Sequence, residues 1–249
     1  MAGHSKWKSI KHKKAITDSR RAASWTKVIR EVTVAAKAGG GDPGMNPRLR
    51  KAIDDAKSVN MPNENIDRAV KKGTGELEGA SYEEVTYEGY GPGGTALLIE
   101  GSTDNPNRTV AEIRHAFSRN EGNLGATNSV AWMFERLGQI VIPRGPQSED
   151  KVMEDALEAG ASDFEVDGDL FVVSTEPTAF HAVIDALTGR GYTIESSELA
   201  MIAQNLVQPE PADAEKVLKL IEVLEELDDV SKVFTNLDFD AIELEEAGT

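Results

Sequence analysis

The sequence predicts a multi-domain α+β protein: an N-terminal three-helix domain plus two ferredoxin-like α/β domains, one inserted in the other. At 249 residues the chain is long enough for two or three domains. Apolar residues recur with a helical period up to residue 73 and alternate as in strands from residue 82. Residues 138–203 then form a β-α-β-β-α-β series, the element order of the split β-α-β unit.

Three helices are predicted in the first domain, at residues 18–38, 46–60 and 62–73. The apolar side chains of the first helix follow the i, i+3, i+4, i+7 spacing of one buried stripe. They are Trp25, Val28, Ile29, Val32 and Ala36. The second helix begins at Asn46-Pro47, a cap residue followed by proline at the first helical position.

Two incomplete sets of elements flank the β-α-β-β-α-β series. Residues 82–134 supply two strands joined by a tight turn, a helix at 108–120 and a strand at 124–134. Residues 204–238 supply a strand at 204–208, a helix at 212–227 and a strand at 230–237. Because neither set makes a convincing domain alone, we predict that they form one discontinuous domain. The predicted domains are residues 1–76, residues 80–136 with 204–240, and residues 137–203.

The charge of the chain is divided unequally along its length. Residues 1–72 contain 17 Lys and Arg against 7 Asp and Glu, whereas residues 73–249 contain 10 against 36, and the formal net charge is −16. A basic N-terminal region followed by an acidic remainder indicates a module that binds a polyanion. The acidic domains would repel nucleic acid and so confine binding to one face, and they offer a surface for a protein partner.

The most informative segment is the N-terminal GHSKWKSIKHKK, which interleaves lysines with one tryptophan. Its predicted nucleic-acid contacts are Lys6, Trp7, Lys8, Lys11, Lys13 and Lys14. The lysines would neutralise phosphates and release counterions, and the indole would stack on an exposed base. The alternative is a solvated tail in which Trp7 packs back on the first helix.

Cations on one face of the first helix extend this predicted surface. They are Arg20, Arg21, Lys27, Arg30 and Lys37. The alternative is an ordinary solvated helix face. Arg48, Arg50, Lys51 and Lys57 of the second helix would continue the patch, although acidic neighbours weaken that interpretation. No helix pair has a clear helix-turn-helix spacing and recognition face.

The remaining motifs favour structure over chemistry. The chain has no cysteine, and its four histidines are not spaced as metal ligands, so we predict neither a metal site nor a cofactor. The Gly91–Gly94 turn and the polar cluster at residues 104–108 are interpreted as a hairpin turn and a helix cap, with anion binding as the alternative. No catalytic residues are predicted, and the chain is not expected to be an enzyme.

The chain is predicted to be cytoplasmic and to have no membrane partner. Its N-terminus lacks the apolar segment of a secretory signal. Its longest apolar runs are far shorter than the ~20 residues of a membrane span. The sequence leaves the oligomeric state open.

Four long motifs resemble those of the YebC/PmpR family and occur in the same order. They are GHSKW…IKHKK at 3–14, the segment 46–76, YEGYGPGG at 87–94, and DNPNRTVAEIRHAF…LGATNSVAWMF at 104–134. The resemblance covers essentially the whole chain. The chain departs from the family pattern at Pro106, where a basic residue is common, and at Glu121 and Asn128, where glycine is common.

The resemblance implies a three-domain protein without an established catalytic activity. Members of the family also resemble mitochondrial translational activators. Family members are described both as DNA-binding transcriptional regulators and as ribosome-associated factors that assist translation. We therefore predict a nucleic-acid-binding regulator of gene expression, with transcription first. The alternative is an RNA-binding translation factor that contacts ribosomal or messenger RNA on the ribosome, which Trp7 would suit because RNA readers stack unpaired bases on aromatic side chains.

Overall fold

The structure is a computed structural model that describes residues 25–79 and 81–239. The described helices are α1 (Trp25–Gly39), α2 (Pro47–Ser58), α3 (Asn63–Gly73), α4 (Pro106–Arg119), α5 (Glu149–Ala159), α6 (Phe180–Gly189) and α7 (Pro211–Glu226). The described strands are β1 (Glu83–Tyr90), β2 (Ala96–Thr103), β3 (Asn123–Leu124), β4 (Phe134–Pro143), β5 (Asp163–Asp167), β6 (Leu170–Thr175), β7 (Ser196–Ala203) and β8 (Val230–Thr235). The predicted α+β fold class is confirmed, with a helical region followed by two four-stranded sheets.

The chain divides into two compact units. Within the described residues, the first unit contains 25–130, apart from residue 80, and 212–233. The second unit contains 131–211 and 234–239. The three predicted domain boundaries stay a prediction.

Helices α1, α2 and α3 form a bundle in the first unit. Asn46 caps α2, because its side-chain oxygen accepts a hydrogen bond from the backbone N–H of Leu49. The core consists of small and branched side chains that are nearly inaccessible to solvent. They include Val32, Ala35, Ala36, Leu49, Ala52, Ala56, Ile66 and Ala69. The predicted helices are confirmed where the structure describes them, and residues 18–24 of the first lie outside the described residues.

Trp25 corrects the predicted buried stripe of α1. Its side chain is 46% exposed, whereas Val32 and Ala36 of the same stripe are buried. Burial increases along α1, because the bundle core forms around its C-terminal half and the first turn extends beyond that core.

The sheet of the first unit has the strand order β3-β1-β2-β8. Strand β1 is antiparallel to both β2 and β3, so the β2-α4-β3 connection is a split β-α-β with β1 between its strands. Gly89 in β1 lies directly beneath α4. A Cβ atom at this position would lie 2.5 Å from the Cζ atom of Phe117, so only glycine allows the helix to approach so closely.

Residues 124–134 correct another prediction, because they are not one strand. Strand β3 ends at Leu124, and β4 begins only at Phe134. Between them Asn128 adopts a left-handed backbone conformation with φ of 64°, which interrupts any extended strand. The buried carboxylate of Glu88 holds this turn by accepting the backbone N–H groups of Asn128 and Val130 at 2.6 and 2.7 Å.

The predicted strand 204–208 is also wrong. This segment forms a single parallel bridge, between Val207 and Leu237, instead of a strand. Its backbone contributes isolated hydrogen bonds, such as the one from Val207 N to the carbonyl of Asn236. Among the described residues, no other position of this segment takes part in a β-bridge.

The second unit has the predicted β4-α5-β5-β6-α6-β7 series and the strand order β5-β6-β4-β7. This antiparallel order places β6 between β4 and β5 and confirms the ferredoxin-like arrangement. One face of the sheet packs against α5 and α6 through a large apolar cluster. Its buried members include Ile140, Ile142, Val152, Phe171, Val173, Val183 and Leu187.

The three family-atypical positions all lie in the first unit and fit their local backbone. Glu121 and Asn128 both adopt positive φ, at 57° and 64°. This is the region that glycine enters without steric cost, so the common glycine of the resembling family fits both turns. Pro106 occupies the first position of α4, where a missing backbone N–H costs nothing.

Candidate nucleic-acid interface

All predicted contact residues before Trp25 lie outside the described residues. These are Lys6, Trp7, Lys8, Lys11, Lys13, Lys14, Arg20 and Arg21. Their part in binding stays a prediction. The other predicted contacts, Lys27 and Arg30, lie within the described residues, as do the cations on α2 and α3.

Arg30 is not on a solvated helix face. It is 7% exposed, and its guanidinium donates to Asp229 Oδ1 at 2.6 Å and to the carbonyls of Ser102 and Asp228 at 3.1 and 2.6 Å. The guanidinium also lies 4.9 Å from the ring centre of Tyr82. The expectation of an accessible Arg30 is therefore wrong, because helix α1 turns this side chain onto the sheet of its own unit.

Asp229 is the centre of this buried polar network. Besides Arg30, its carboxylate accepts hydrogen bonds from Arg108 Nη2 at 2.8 Å, Thr109 Oγ1 at 2.5 Å and Thr103 Oγ1 at 3.1 Å. Burial would raise the pKa of Asp229, but the hydrogen bonds from Thr109 and Arg108 and the charge of Arg30 hold it below its ordinary value. An ionised Asp229 thus joins helix α1 to strand β2 and helix α4.

Lys27 and Lys37 also use their ammonium groups inside the first unit. Lys27 donates to the carbonyl of Glu225 at 2.5 Å, and its burial lowers its pKa. Lys37 donates to Ser81 Oγ at 3.0 Å and to the carbonyl of Tyr82 at 2.8 Å. The three cations of α1 do share a face, as the spacing predicts, but that face holds the helix on the sheet domain.

The exposed cations of the bundle whose side chains form no hydrogen bond within the described chain lie on α2 and α3. Arg50 and Lys57 are exposed on α2, seven residues apart and thus on one side of the helix. Lys71 and Lys72 are exposed in the last turn of α3, where cations also complement the helix dipole. Within the described chain, these four side chains form no ion pair and remain available for phosphate. Lys72 additionally lines a surface groove with Lys37.

The other predicted cations of α2 are engaged. Arg48 donates to Glu31 at 2.8 Å and to Glu84 at 2.8 Å, and the hydrogen bond to Glu31 raises its pKa further above the ordinary range. Lys51 pairs with Asp55 at 2.6 Å across one helical turn. The contact residues predicted from the sequence do not include Lys71 and Lys72. Their exposure could have been predicted, because they lie outside the buried stripe of α3.

The polar cluster at residues 104–108 is the predicted helix cap. The side chain of Asn105 accepts the backbone N–H of Arg108 at 3.2 Å and begins α4. Arg108 binds Asp104 and Asp229 through its Nη2 atom, at 3.0 and 2.8 Å. Gly91–Gly94 joins β1 to β2 as a short turn, which agrees with the hairpin interpretation.

The described histidines and carboxylates do not gather into a metal site. His115 and His181 are exposed on α4 and α6. Among the described residues no group of three or more His, Asp or Glu side chains is placed to hold a metal ion. In the same part of the chain, no helix combines the length and the apolar character that crossing a bilayer requires.

Comparison with known proteins assigns the family. Residues 5–76 match the model of the TACO1/YebC protein N-terminal domain, and residues 82–237 match that of the TACO1/YebC second and third domain. Together they span nearly all of the chain. This protein therefore belongs to the TACO1/YebC family, as the four motifs indicate.

Relatives from several bacteria resemble the chain along their whole length. One is a probable transcriptional regulatory protein of Gemmatimonas aurantiaca, 58% identical over 240 residues, which are 96% of this chain and 97% of the relative. Another of the same description, from Geobacter sulfurreducens, is 51% identical over 98% of this chain and 99% of its own. The crystal structure of a conserved hypothetical protein of Aquifex aeolicus is also similar, with a TM-score of 0.79 and 44% identity over 94% of this chain and 95% of that chain.

Proposed function

We propose that this protein is a non-enzymatic, nucleic-acid-binding regulator of gene expression that acts as a DNA-binding transcriptional regulator in the cytoplasm. The observation that carries the proposal is the group of five lysines within residues 6–14, interrupted by Trp7. Such a segment gains affinity by displacing counterions from phosphates. The description of the bacterial relatives as probable transcriptional regulatory proteins supports the regulatory role.

The accessible cations of the bundle extend the proposed interface. Arg50, Lys57, Lys71 and Lys72 belong to the first unit, the one in which the basic sequence continues after residue 25. Each is positioned to neutralise phosphate without giving up an ion pair within the described residues. We assign Arg30 and Lys27 a different role, because their donors already serve the contact between α1 and the sheet.

The carboxylates whose pKa is shifted form structural ion pairs, and this supports the proposed non-enzymatic role. Among the described residues, the carboxylates with a lowered pKa are Asp155 and Asp229, and each accepts hydrogen bonds from donors of its own unit. Asp155 accepts Tyr192 Oη at 2.7 Å and also binds Arg190 and Lys151. Both carboxylates are stabilised in the ionised form, which suits a fixed structural ion pair better than a proton carrier.

The second candidate is a ribosome-associated RNA-binding translation factor. Trp7 among the lysines favours it, because proteins stack unpaired RNA bases on aromatic side chains. The acidic domains would then contact a protein partner. The two candidates differ in the nucleic acid that the basic segment binds, and this difference is measurable.

Crosslinking in cells followed by sequencing of bound DNA and RNA tests the proposal. The full chain is compared with a chain lacking residues 1–16 and with a full-length variant in which Arg50, Lys57, Lys71 and Lys72 are replaced by Gln. We expect discrete promoter DNA to be enriched, to disappear with the deletion, and to weaken in the four-site variant. Enrichment of ribosomal and messenger RNA would support the translation candidate instead, and enrichment of neither would refute both.

A further inference from the structure

A surface groove lies between helix α1, the end of helix α3 and the chain that follows α3. Its volume is about 610 Å³, which is within the range of pockets that bind small ligands. The buried residues Thr33 and Val34 line it on α1, Lys72 lines it on α3, and Leu77 and Ser81 line it on the following segment. All of these residues belong to the first unit, so the groove is formed within one compact body.

The close approach of α3 to α1 brings two lysines to this groove. Gly73 ends α3, and a Cβ atom at this position would lie 2.4 Å from the carbonyl oxygen of Thr33 and 2.7 Å from the Cβ atom of Ala36. Any larger residue would therefore push the two helices apart. As a result, Lys72 of α3 and Lys37 of α1 line the same groove.

Hydrogen bonds fix the segment after α3 as the opposite wall of the groove. The backbone N–H of Leu77 donates to the carbonyl of Lys71 at 3.1 Å and closes a turn at the end of the helix. Further along, Ser81 Oγ accepts a hydrogen bond from Lys37 of α1 at 3.0 Å. Because both walls are held in this way, the groove is formed before a ligand binds, which lowers the free-energy cost of binding.

The lining of the groove carries more positive than negative charge. Within the described chain Lys72 forms no ion pair, and its side chain lies beside Gly79, where a Cβ atom would be 3.0 Å from the Lys72 Cδ atom. The ammonium of Lys37 uses two of its three N–H donors for Ser81 and the next carbonyl, so one donor is left. Among the described lining residues, Glu78 supplies the one carboxylate. This balance favours an anionic ligand.

We propose that this groove binds the sugar–phosphate backbone of one strand of nucleic acid, with a phosphate contacted by Lys37 and Lys72. Ammonium groups bind phosphate oxygens as compact point charges. Leu77, whose side chain is 42% exposed, gives the sugar an apolar surface to pack on. The proposal rests on the proposed function, and it assigns one of the phosphate contacts to a defined site.

Inorganic phosphate presents part of the same chemistry, but a strand of nucleic acid fits the surroundings of the groove better. Lys71 lies next to Lys72 in the last turn of α3 and is exposed outside the groove. Such a cation can attract a neighbouring phosphate of the same strand, which a free phosphate does not have. The two ligands are therefore separate arms of the test.

Lysine acetylation followed by mass spectrometry tests the proposal on the unmodified full chain. Duplex DNA and single-stranded RNA of mixed sequence are each tried, and whichever the chain binds is used as the ligand. With the ligand at about four times its Kd, about one fifth of the sites are unoccupied, so acetylation of Lys72 should slow roughly fivefold. Lys71 should be slowed by less than roughly twofold, because an exposed cation is not enclosed by its phosphate. Equal protection of the two lysines would overturn the proposal, as would protection of Lys72 by inorganic phosphate at the same phosphate concentration.

Substitutions measure the same site through affinity. Lys72→Gln should lower the affinity for the same ligand roughly tenfold, the effect of losing one hydrogen bond to a charged group. Lys71→Gln should lower it by no more than roughly twofold. Glu78→Gln removes the carboxylate of the groove and should raise the affinity roughly two- to threefold, whereas Glu76→Gln, which lies outside the lining, should raise it less. Circular dichroism checks that each variant is folded.

The outcomes separate this proposal from the proposed function. If the unmodified chain binds neither duplex DNA nor single-stranded RNA, the proposed function fails and the groove proposal fails with it. If the chain binds nucleic acid but Lys71→Gln and Lys72→Gln lose affinity equally, only the groove proposal is refuted. A selective loss in Lys72→Gln together with a gain in Glu78→Gln supports the groove as a phosphate site.

Discussion

Replacing Asp229 with alanine should destabilise the first unit more than any exposed ion-pair substitution. Asp229 is 2% exposed and accepts hydrogen bonds from Arg30, Arg108, Thr103 and Thr109. Its removal leaves the guanidinium of Arg30 buried without its countercharge. Breaking a buried pair in this way costs about 3–5 kcal/mol of the free energy of unfolding. Asp229→Asn keeps the shape and part of the hydrogen bonding, so its loss should be smaller, at about 1.5–3 kcal/mol.

Urea unfolding at neutral pH, followed by far-ultraviolet circular dichroism, measures these losses. Glu64→Ala is the matched control, because Glu64 forms an exposed pair with Arg68 across one turn of α3. Its loss should be within about 0.5 kcal/mol. A loss below about 1 kcal/mol for Asp229→Ala would refute the argument that this carboxylate holds α1 on the sheet.

Three further predictions concern pH, close packing and a buried turn. The pKa values of Asp229 and Asp155 are lowered in the folded protein, so the unfolded state takes up protons first as the pH falls. The free energy of unfolding should therefore decrease as the pH drops below about 4. Urea midpoints measured between pH 6 and 3 should fall less steeply for Asp229→Asn than for the unmodified chain. Gly89→Ala should cost about 1–3 kcal/mol in urea unfolding, since an aromatic ring occupies the space of the new Cβ, whereas Gly189→Ala, with open space around it, should not destabilise; equal effects would contradict the contact. Glu88→Ala leaves two backbone N–H groups without their acceptor and should cost about 1–3 kcal/mol, and an unchanged melting temperature would exclude this role.

Most of the secondary structure could be predicted because its signals are local. The helix at 149–159 and the strand at 163–167 have the predicted bounds, since a serine cap, a glycine stop and period-two alternation mark them in the sequence itself. The segment 124–134 was mispredicted for the opposite reason. Its apolar end resembles a strand, but its conformation is imposed by Glu88, about forty residues earlier in the chain.

The candidate site was harder to predict than the fold. Helical spacing places Lys27, Arg30 and Lys37 on one face, but it does not show what covers that face. The partner of Arg30 is Asp229, 199 residues away, and no local pattern relates the two. The solvent exposure of Lys71 and Lys72 could have been predicted from the sequence, since both lie outside the buried stripe of α3. The basic N-terminal segment could be identified without the structure, because its composition alone indicates binding to a polyanion.

The salt dependence of nucleic-acid binding by full-length protein tests the central claim most directly. Affinity for duplex DNA is measured against salt concentration for the unmodified chain, for Lys11→Gln/Lys13→Gln/Lys14→Gln, and for the matched control Arg114→Gln/Arg119→Gln/Lys219→Gln, whose cations are exposed on α4 and α7. If each of the three lysines neutralises one phosphate, the slope of log affinity against log salt should fall by roughly 2 to 3 in the lysine variant and stay unchanged in the control. Equal slopes in all three proteins would contradict the claim that the N-terminal lysines contact nucleic acid.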